Sequence, residues 1–181
     1  MRARPSRSGR ADDRVAWPAY VALAWIVVFF AFHVYWYAGG TFGRGGVLPG
    51  LLPHSVIGWI FEVAIVSAFP IGAWACLAIA RGWPRGRLRR LAAFLVWFGC
   101  ALLTLRGASG LVDDLTRSIG LLPDGITGLS IEDATGMAHP SASVLWSGRA
   151  TDAYFFAGGL AFGRLAWRYR NRPAAAPTPA G

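Results

Sequence analysis

Three ionisable side chains stand inside otherwise apolar runs: His33, Glu62 and Arg106. A charge at the centre of hydrocarbon costs at least about 2.5–3.5 kcal/mol on insertion scales, so such groups are expected to pair inside a bundle. Counted from the outer end of each run at helical rise, His33 lies about 7 Å deep, Glu62 about 10 Å and Arg106 about 5 Å. Three helices thus bring ionisable groups to one layer, with Trp36 and Tyr37 beside His33 as further candidate lining residues. Glu62 and Arg106 are the natural ion pair, and His33 is near enough to join. One chemistry for such a layer is a buried pair that fixes helix register. The other is a polar pocket opening outward, for an ion, a proton or a small ligand. A His with a carboxylate can do acid–base work, but no nucleophile accompanies them.

Other chemistries lack their residues. The sequence has no Cys/His metal spacing, no Ser-His-Asp order and no Gly-rich loop after a strand, so neither a metal nor a cofactor is expected. Asp113, Asp114, Asp124, Glu132 and Asp133 lie close together, but not at the regular spacing of a calcium loop. Within that stretch, apolar positions 111, 112, 115, 119 and 122 form a helical stripe suited to lying on a bilayer surface. Cys76 and Cys100 differ in depth by about 8 Å, beyond the reach of a disulfide, and are expected to be free.

The elements that must position these groups are long and apolar. Of 181 residues, 55% are hydrophobic and only 15% charged, against about 25% charged in an ordinary soluble domain. That balance points to an integral membrane protein and leaves no room for a separate soluble domain. Residues 15–38 carry no formal charge, and their length exceeds both a signal-peptide core and the roughly 20 residues a span requires. Pro18 is placed at the start of that helix, where a missing N–H costs nothing. Further helices are expected at about 55–82, with Pro70 kinking it, at 88–110 and at 150–169. The last is the weakest, and three spans with an interfacial helix is the alternative. The fold expected is an all-α, integral membrane four-helix bundle over 15–172. An outer loop spans 111–149, with a shorter one at Gly45–Pro53, and disordered tails occupy 1–14 and 173–181.

Orientation follows the arginines, which supply all 18 basic residues and a net charge of +9. Five precede the first run, five lie in 81–90, and four close the chain at Arg164, Arg168, Arg170 and Arg172. The positive-inside rule then places both termini in the cytoplasm of a cell-membrane protein. Nucleic-acid binding is the other use of such a charge, but arginines blocked beside apolar runs fit the bilayer better. Trp17, Tyr20, Trp83, Trp167 and Tyr169 are expected in the inner aromatic belt, and Tyr35, Trp36, Tyr37, Trp59 and Tyr154 in the outer.

Small residues recur four apart at Ala68, Gly72, Cys76 and Ala80, and again at Gly159, Gly163 and nearby Ala166. Such rows let backbones approach closely, within one bundle or between copies in a homo-oligomer. The segments Trp17–Trp25, Phe32–Gly40, Leu105–Asp113 and Tyr154–Phe162 resemble a family of small four-helix actinobacterial membrane proteins carrying a domain of unknown function. His33, Tyr35, Trp36, Gly39 and Gly40 match its first helix; the acidic third loop, Arg149 and Asp152 depart from it. The resemblance covers most of 17–167, implies four membrane helices and supplies no activity. An interaction or accessory membrane protein is the leading expectation, with the bilayer and a protein partner as its contacts. Ligand, ion or proton binding follows, and a membrane enzyme comes last.

Overall fold

A computed structural model of the chain describes residues 7–40, 56–135 and 137–172. The expected loop at Gly45–Pro53, Arg44, His54, and the tails 1–6 and 173–181 lie outside the described residues. The described part is all-helical: α1 (Arg7–Tyr37), α2 (Val56–Ala80), α3 (Gly86–Ser118), the short α4 (Ile131–Thr135) and α5 (Ala142–Arg170). Val15–Tyr37 of α1, α2 and α3 are long and apolar enough to cross a membrane. The expected stretch 150–169 of α5 is long enough, but Asp152, Arg164, Arg168 and three glycines dilute its apolar character.

Three helices stop by the same device. Gly39, Gly82 and Gly120 each adopt positive φ two residues past the end of α1, α2 and α3. In α2 the Gly82 N–H returns to the Ile79 carbonyl and the Trp83 N–H to Ala78, which satisfies carbonyls the helix leaves over. The equivalent pairs are Gly39–Trp36 and Gly40–Tyr35 in α1, and Gly120–Arg117 and Leu121–Thr116 in α3. Only glycine takes that left-handed turn without strain.

Three of the long helices exceed the sequence expectation, whereas α2, expected at about 55–82, is slightly shorter. The first helix begins at Arg7, so residues 7–14, expected in a disordered tail, are helical. Adding a residue to an existing helix gains a hydrogen bond without the cost of nucleation, so polar flanks can continue it. Pro18 is therefore interior to α1 rather than at its start, and α2 likewise runs through Pro70 without ending. The third helix continues to Ser118, and α5 begins at Ala142 rather than 150. Positions 111, 112 and 115 of the expected surface stripe thus belong to α3, and 119 and 122 follow its end. At 33 residues α3 is about 50 Å long, against roughly 30 Å of hydrocarbon, so one end must project.

The four long helices form a ring of antiparallel neighbours. The most extensive contact is α3 against α5; α1 packs on α2 and on α5, and α2 touches α3 more sparsely. One end of the ring gathers Arg81, Arg85, Arg87, Arg89, Arg90, Arg168, Arg170 and Arg172. The other carries α4 and the described acidic residues other than Glu62 and the pair at Asp12 and Asp13. The buried core lies nearer the arginine end: Val15, Ala19, Ala22 and Ile26 of α1 meet Cys76 and Ile79 of α2, Ala92 and Val96 of α3, and Leu165 and Ala166 of α5. Both cysteines are free, as their depths require. Tyr169, expected in the inner belt, is 3% exposed and belongs to this core, whereas Trp17, Trp83 and Trp167 remain on the surface.

The α3–α5 seam is built on small residues, of which Gly159 and Gly163 were anticipated. On α5, Gly159 lies against the Thr104 backbone and Gly163 against the Cys100 sulfur. The partner row on α3 is Gly99, Gly107 and Gly110, which meet Phe162, the Asp152–Phe156 backbone and the Asp152 carboxylate. Of the α2 row, Cys76 is buried and Gly72 faces Ile26 of α1, but Ala68 is exposed. These rows join helices within the chain. Replacing Gly107 by Val forces a side chain into α5 backbone, and should destabilise the fold by about 1–3 kcal/mol. The Gly148→Ala change meets open space in a helix and should stabilise it by up to about 1 kcal/mol. Thermal unfolding of the two variants in detergent checks the contrast.

Candidate functional site

Beyond the glycine seam, the projecting ends of α3 and α5 carry opposed charges. Arg106, Gly110, Asp113, Asp114 and Arg117 recur at three- and four-residue steps, so they fall along one flank of α3. Arg149 and Asp152 do the same one turn apart on α5. Three ion pairs result. Arg106 donates to the Asp152 carboxylate at 2.5 Å and lies 5.3 Å over the Phe155 ring. Arg149 presents Nε to both oxygens of Asp114, at 2.9 and 2.8 Å, and stacks on Trp146. Within α3, Arg117 Nε donates to Asp113 at 2.8 Å.

Asp113 also ties down the chain that follows. Its Oδ1 accepts the backbone N–H of Ile126 at 2.7 Å and that of Thr127 at 3.4 Å. The Arg117 guanidinium reaches the Pro123 carbonyl and the Thr127 hydroxyl from the other side. A loop of ordinary polarity is thereby folded back onto the helix it left. Ser130 and Asp133 cap the single turn of α4 by reciprocal hydrogen bonds, Ser130 Oγ with the Asp133 N–H and Asp133 Oδ2 with the Ser130 N–H. Between this cap and the two helices lies a cleft of about 480 Å³, into which Arg106, Arg117 and Arg149 face together with Asp113, Asp114 and Asp152. Its charges are balanced and paired, which favours recognition of a polar or zwitterionic group over capture of a bare ion. Among the described residues, no group of three His, Cys, Asp or Glu is placed to hold a metal.

The residues singled out in the apolar runs go to three different places. His33 donates from Nδ1 to the Phe29 carbonyl at 3.2 Å, since a carbonyl can only accept. Its ring packs on Phe29, Trp36 and Phe69 at 4.5–5.2 Å, so it serves as an aromatic core residue with a polar edge. Tyr37 is exposed. Glu62 lies seven residues along α2 from Phe69, about 10 Å towards the helix start, where α2 has left the core. Among the described residues no hydrogen bond or ion pair reaches it. The expected Glu62–Arg106 pair is not formed, because Arg106 faces α5, its nearest neighbour, and not α2. The link from Arg106 towards His33 runs through rings, Phe155 on Phe29 at 5.0 Å.

Asp152 is the residue sequence reasoning missed as a partner. Starting the last helix at 150 left Arg149 and Asp152 near a loop, although their three-residue step already placed them on one helical face. Tyr154, expected in the outer belt, is instead half of a reciprocal lock. The Trp25 Nε1–H donates to the Tyr154 carbonyl at 2.9 Å, the Tyr154 hydroxyl donates to the Trp25 carbonyl at 2.7 Å, and the rings stack at 5.0 Å. Both polar tips are thus satisfied inside the bundle, as an apolar surrounding demands.

No protein-family model, curated protein or solved structure matches the chain. The functional reading therefore rests on this geometry.

Two measurements probe it. In a double-mutant cycle on thermal stability in detergent, Arg106→Leu and Asp152→Leu should couple by about 1 kcal/mol, whereas Arg106→Leu and Glu62→Leu should add independently. Asp113→Ala should leave global unfolding nearly unchanged but speed amide exchange at Ile126 and Thr127 roughly tenfold, the loss of about 1.4 kcal/mol of local hydrogen bonding.

Proposed function

We propose that the chain is a multi-pass cell-membrane protein with four crossings and cytoplasmic termini, acting as an interaction or accessory protein through its outer cap. The fourth crossing is α5. It packs along α3 and α1, its outer charges are paired with α3, and Arg164 and Arg168 are close enough to the far end to reach an interface. The segregation of arginines to one end supports the orientation. Labelling of intact cells with a membrane-impermeant thiol reagent should modify Ser130→Cys and spare Arg87→Cys; modification of the latter overturns the topology.

One observation carries the interaction reading. The cap exposes Ile119, Leu121, Leu122, Ile126, Leu129 and Ile131, where the Asp113–Arg117 tie holds the chain at Ile126 and Thr127 to the end of α3, and Trp146 at the start of α5 is exposed as well. Apolar side chains gathered on an ordered surface outside the hydrocarbon favour a protein contact, with Trp146 as the kind of anchor such contacts use. A photoreactive side chain placed at Leu121, Leu129 or Trp146 should yield a protein adduct of discrete mass. The same group at lipid-facing Phe98 should yield only lipid. Lipid adducts alone from the cap positions would mean that the cap lies on the bilayer and docks nothing. The cleft beneath the cap favours a second reading, binding of a small polar ligand at Arg106, Arg117 and Arg149. Ligand-dependent thermal stabilisation that Arg149→Gln abolishes would support it.

A further inference from the structure

At the arginine-rich end, a groove of about 640 Å³ runs between α1 and α5. Its walls are Trp17 and Val21 on one side and Leu160 and Ala161 on the other, and Arg164 and Arg168 also line it. Most of this lining is apolar, and it opens on the outside of the ring, where a bilayer would lie. Trp17 is 71% exposed there, as an interfacial side chain should be. The two arginines stand four residues apart on α5, which brings their side chains together on one face. Among the described residues neither has an ion-pair partner. Two like charges so placed repel each other, and beside hydrocarbon the repulsion is poorly screened. An anion between them removes that cost, and a phosphate accepts hydrogen bonds from two guanidinium forks.

We propose that this groove holds one anionic phospholipid of the leaflet facing the arginine end. Its phosphate sits between Arg164 and Arg168, and an acyl chain lies along Val21, Leu160 and Ala161. The inference rests on α5 lying along the bilayer. A protein that stays in solution without detergent would defeat that reading itself, whereas one that needs detergent and ignores lipid charge defeats only the site.

The test is native mass spectrometry of the full chain in mild detergent, with phosphatidylglycerol or phosphatidylcholine of identical acyl chains. The wild type should retain one phosphatidylglycerol about tenfold over phosphatidylcholine, a difference of about 1.4 kcal/mol. Arg164→Gln with Arg168→Gln should bring that preference close to unity. Arg85→Gln with Arg87→Gln, an equal loss of charge outside the groove, should leave it intact. Val21→Trp, which fills the apolar part, should lower retention of both lipids. Equal retention of the two lipids by wild type, or equal effects of the two arginine pairs, overturns the proposal. The wild-type comparison decides even if the groove variants fail to fold. Complete displacement by inorganic phosphate would show a headgroup-only anion site and overturn the acyl-chain part.

Discussion

The close approach of α3 and α5 governs the arrangement of everything else. Lipid tails are as apolar as leucine, so apolar side chains alone give two helices in a bilayer little reason to associate. Backbone proximity supplies one, and it needs residues without bulk. Gly107 meets the backbone of Asp152 and Phe156 directly, and Gly159 meets that of Thr104, so dispersion contacts run along both helices with nothing between them. Registration follows from the same contacts: successive small residues of α3 face successive turns of α5 in reverse order. Once the glycines are seated, the charges beyond them have fixed partners.

That dependence explains the end of the molecule opposite the arginines. Arg106 meets Asp152, and Asp114 meets Arg149, because the seam delivers those positions opposite one another. The ion pairs are half-exposed and add little energy on their own. Their value is geometric, since they hold the ends of α3 and α5 together beyond the glycine contacts. The Asp113–Arg117 pair then fixes the returning loop, which gives the cap a defined surface and the cleft beneath it a floor.

The ring is not uniform. Near the arginine end, alanines, Cys76 and Ile79 let all four long helices converge, and the core there is buried. Towards the other end large rings replace small side chains. Trp25, Phe29, His33, Phe69, Tyr154 and Phe155 fill the space between α1, α2 and α5, and the Trp25–Tyr154 lock sets the spacing of α1 from α5. The first half of α2, over 56–68, is largely exposed. Glu62 lies on that half, which is why the carboxylate expected to pair with Arg106 stands apart from it.

The helix class and the segregation of charge to the two ends were legible in the sequence, because each depends on properties that accumulate along the chain. An apolar run of sufficient length specifies a helix without reference to its neighbours, and arginine blocks between runs divide the ends. The small-residue rows on α2 and α5 were visible too, though not which helix would face them. Partner choice was decided only by the tertiary structure. Whether Arg106 reaches Glu62 or Asp152 depends on which helix is adjacent and how each is rotated, and both are set by the fit of Gly107 against α5. Helix ends in polar sequence were also decided there. The extensions of α3 to Ser118 and of α5 back to Ala142 have little apolar pattern of their own, and they persist because each has the other to pair with.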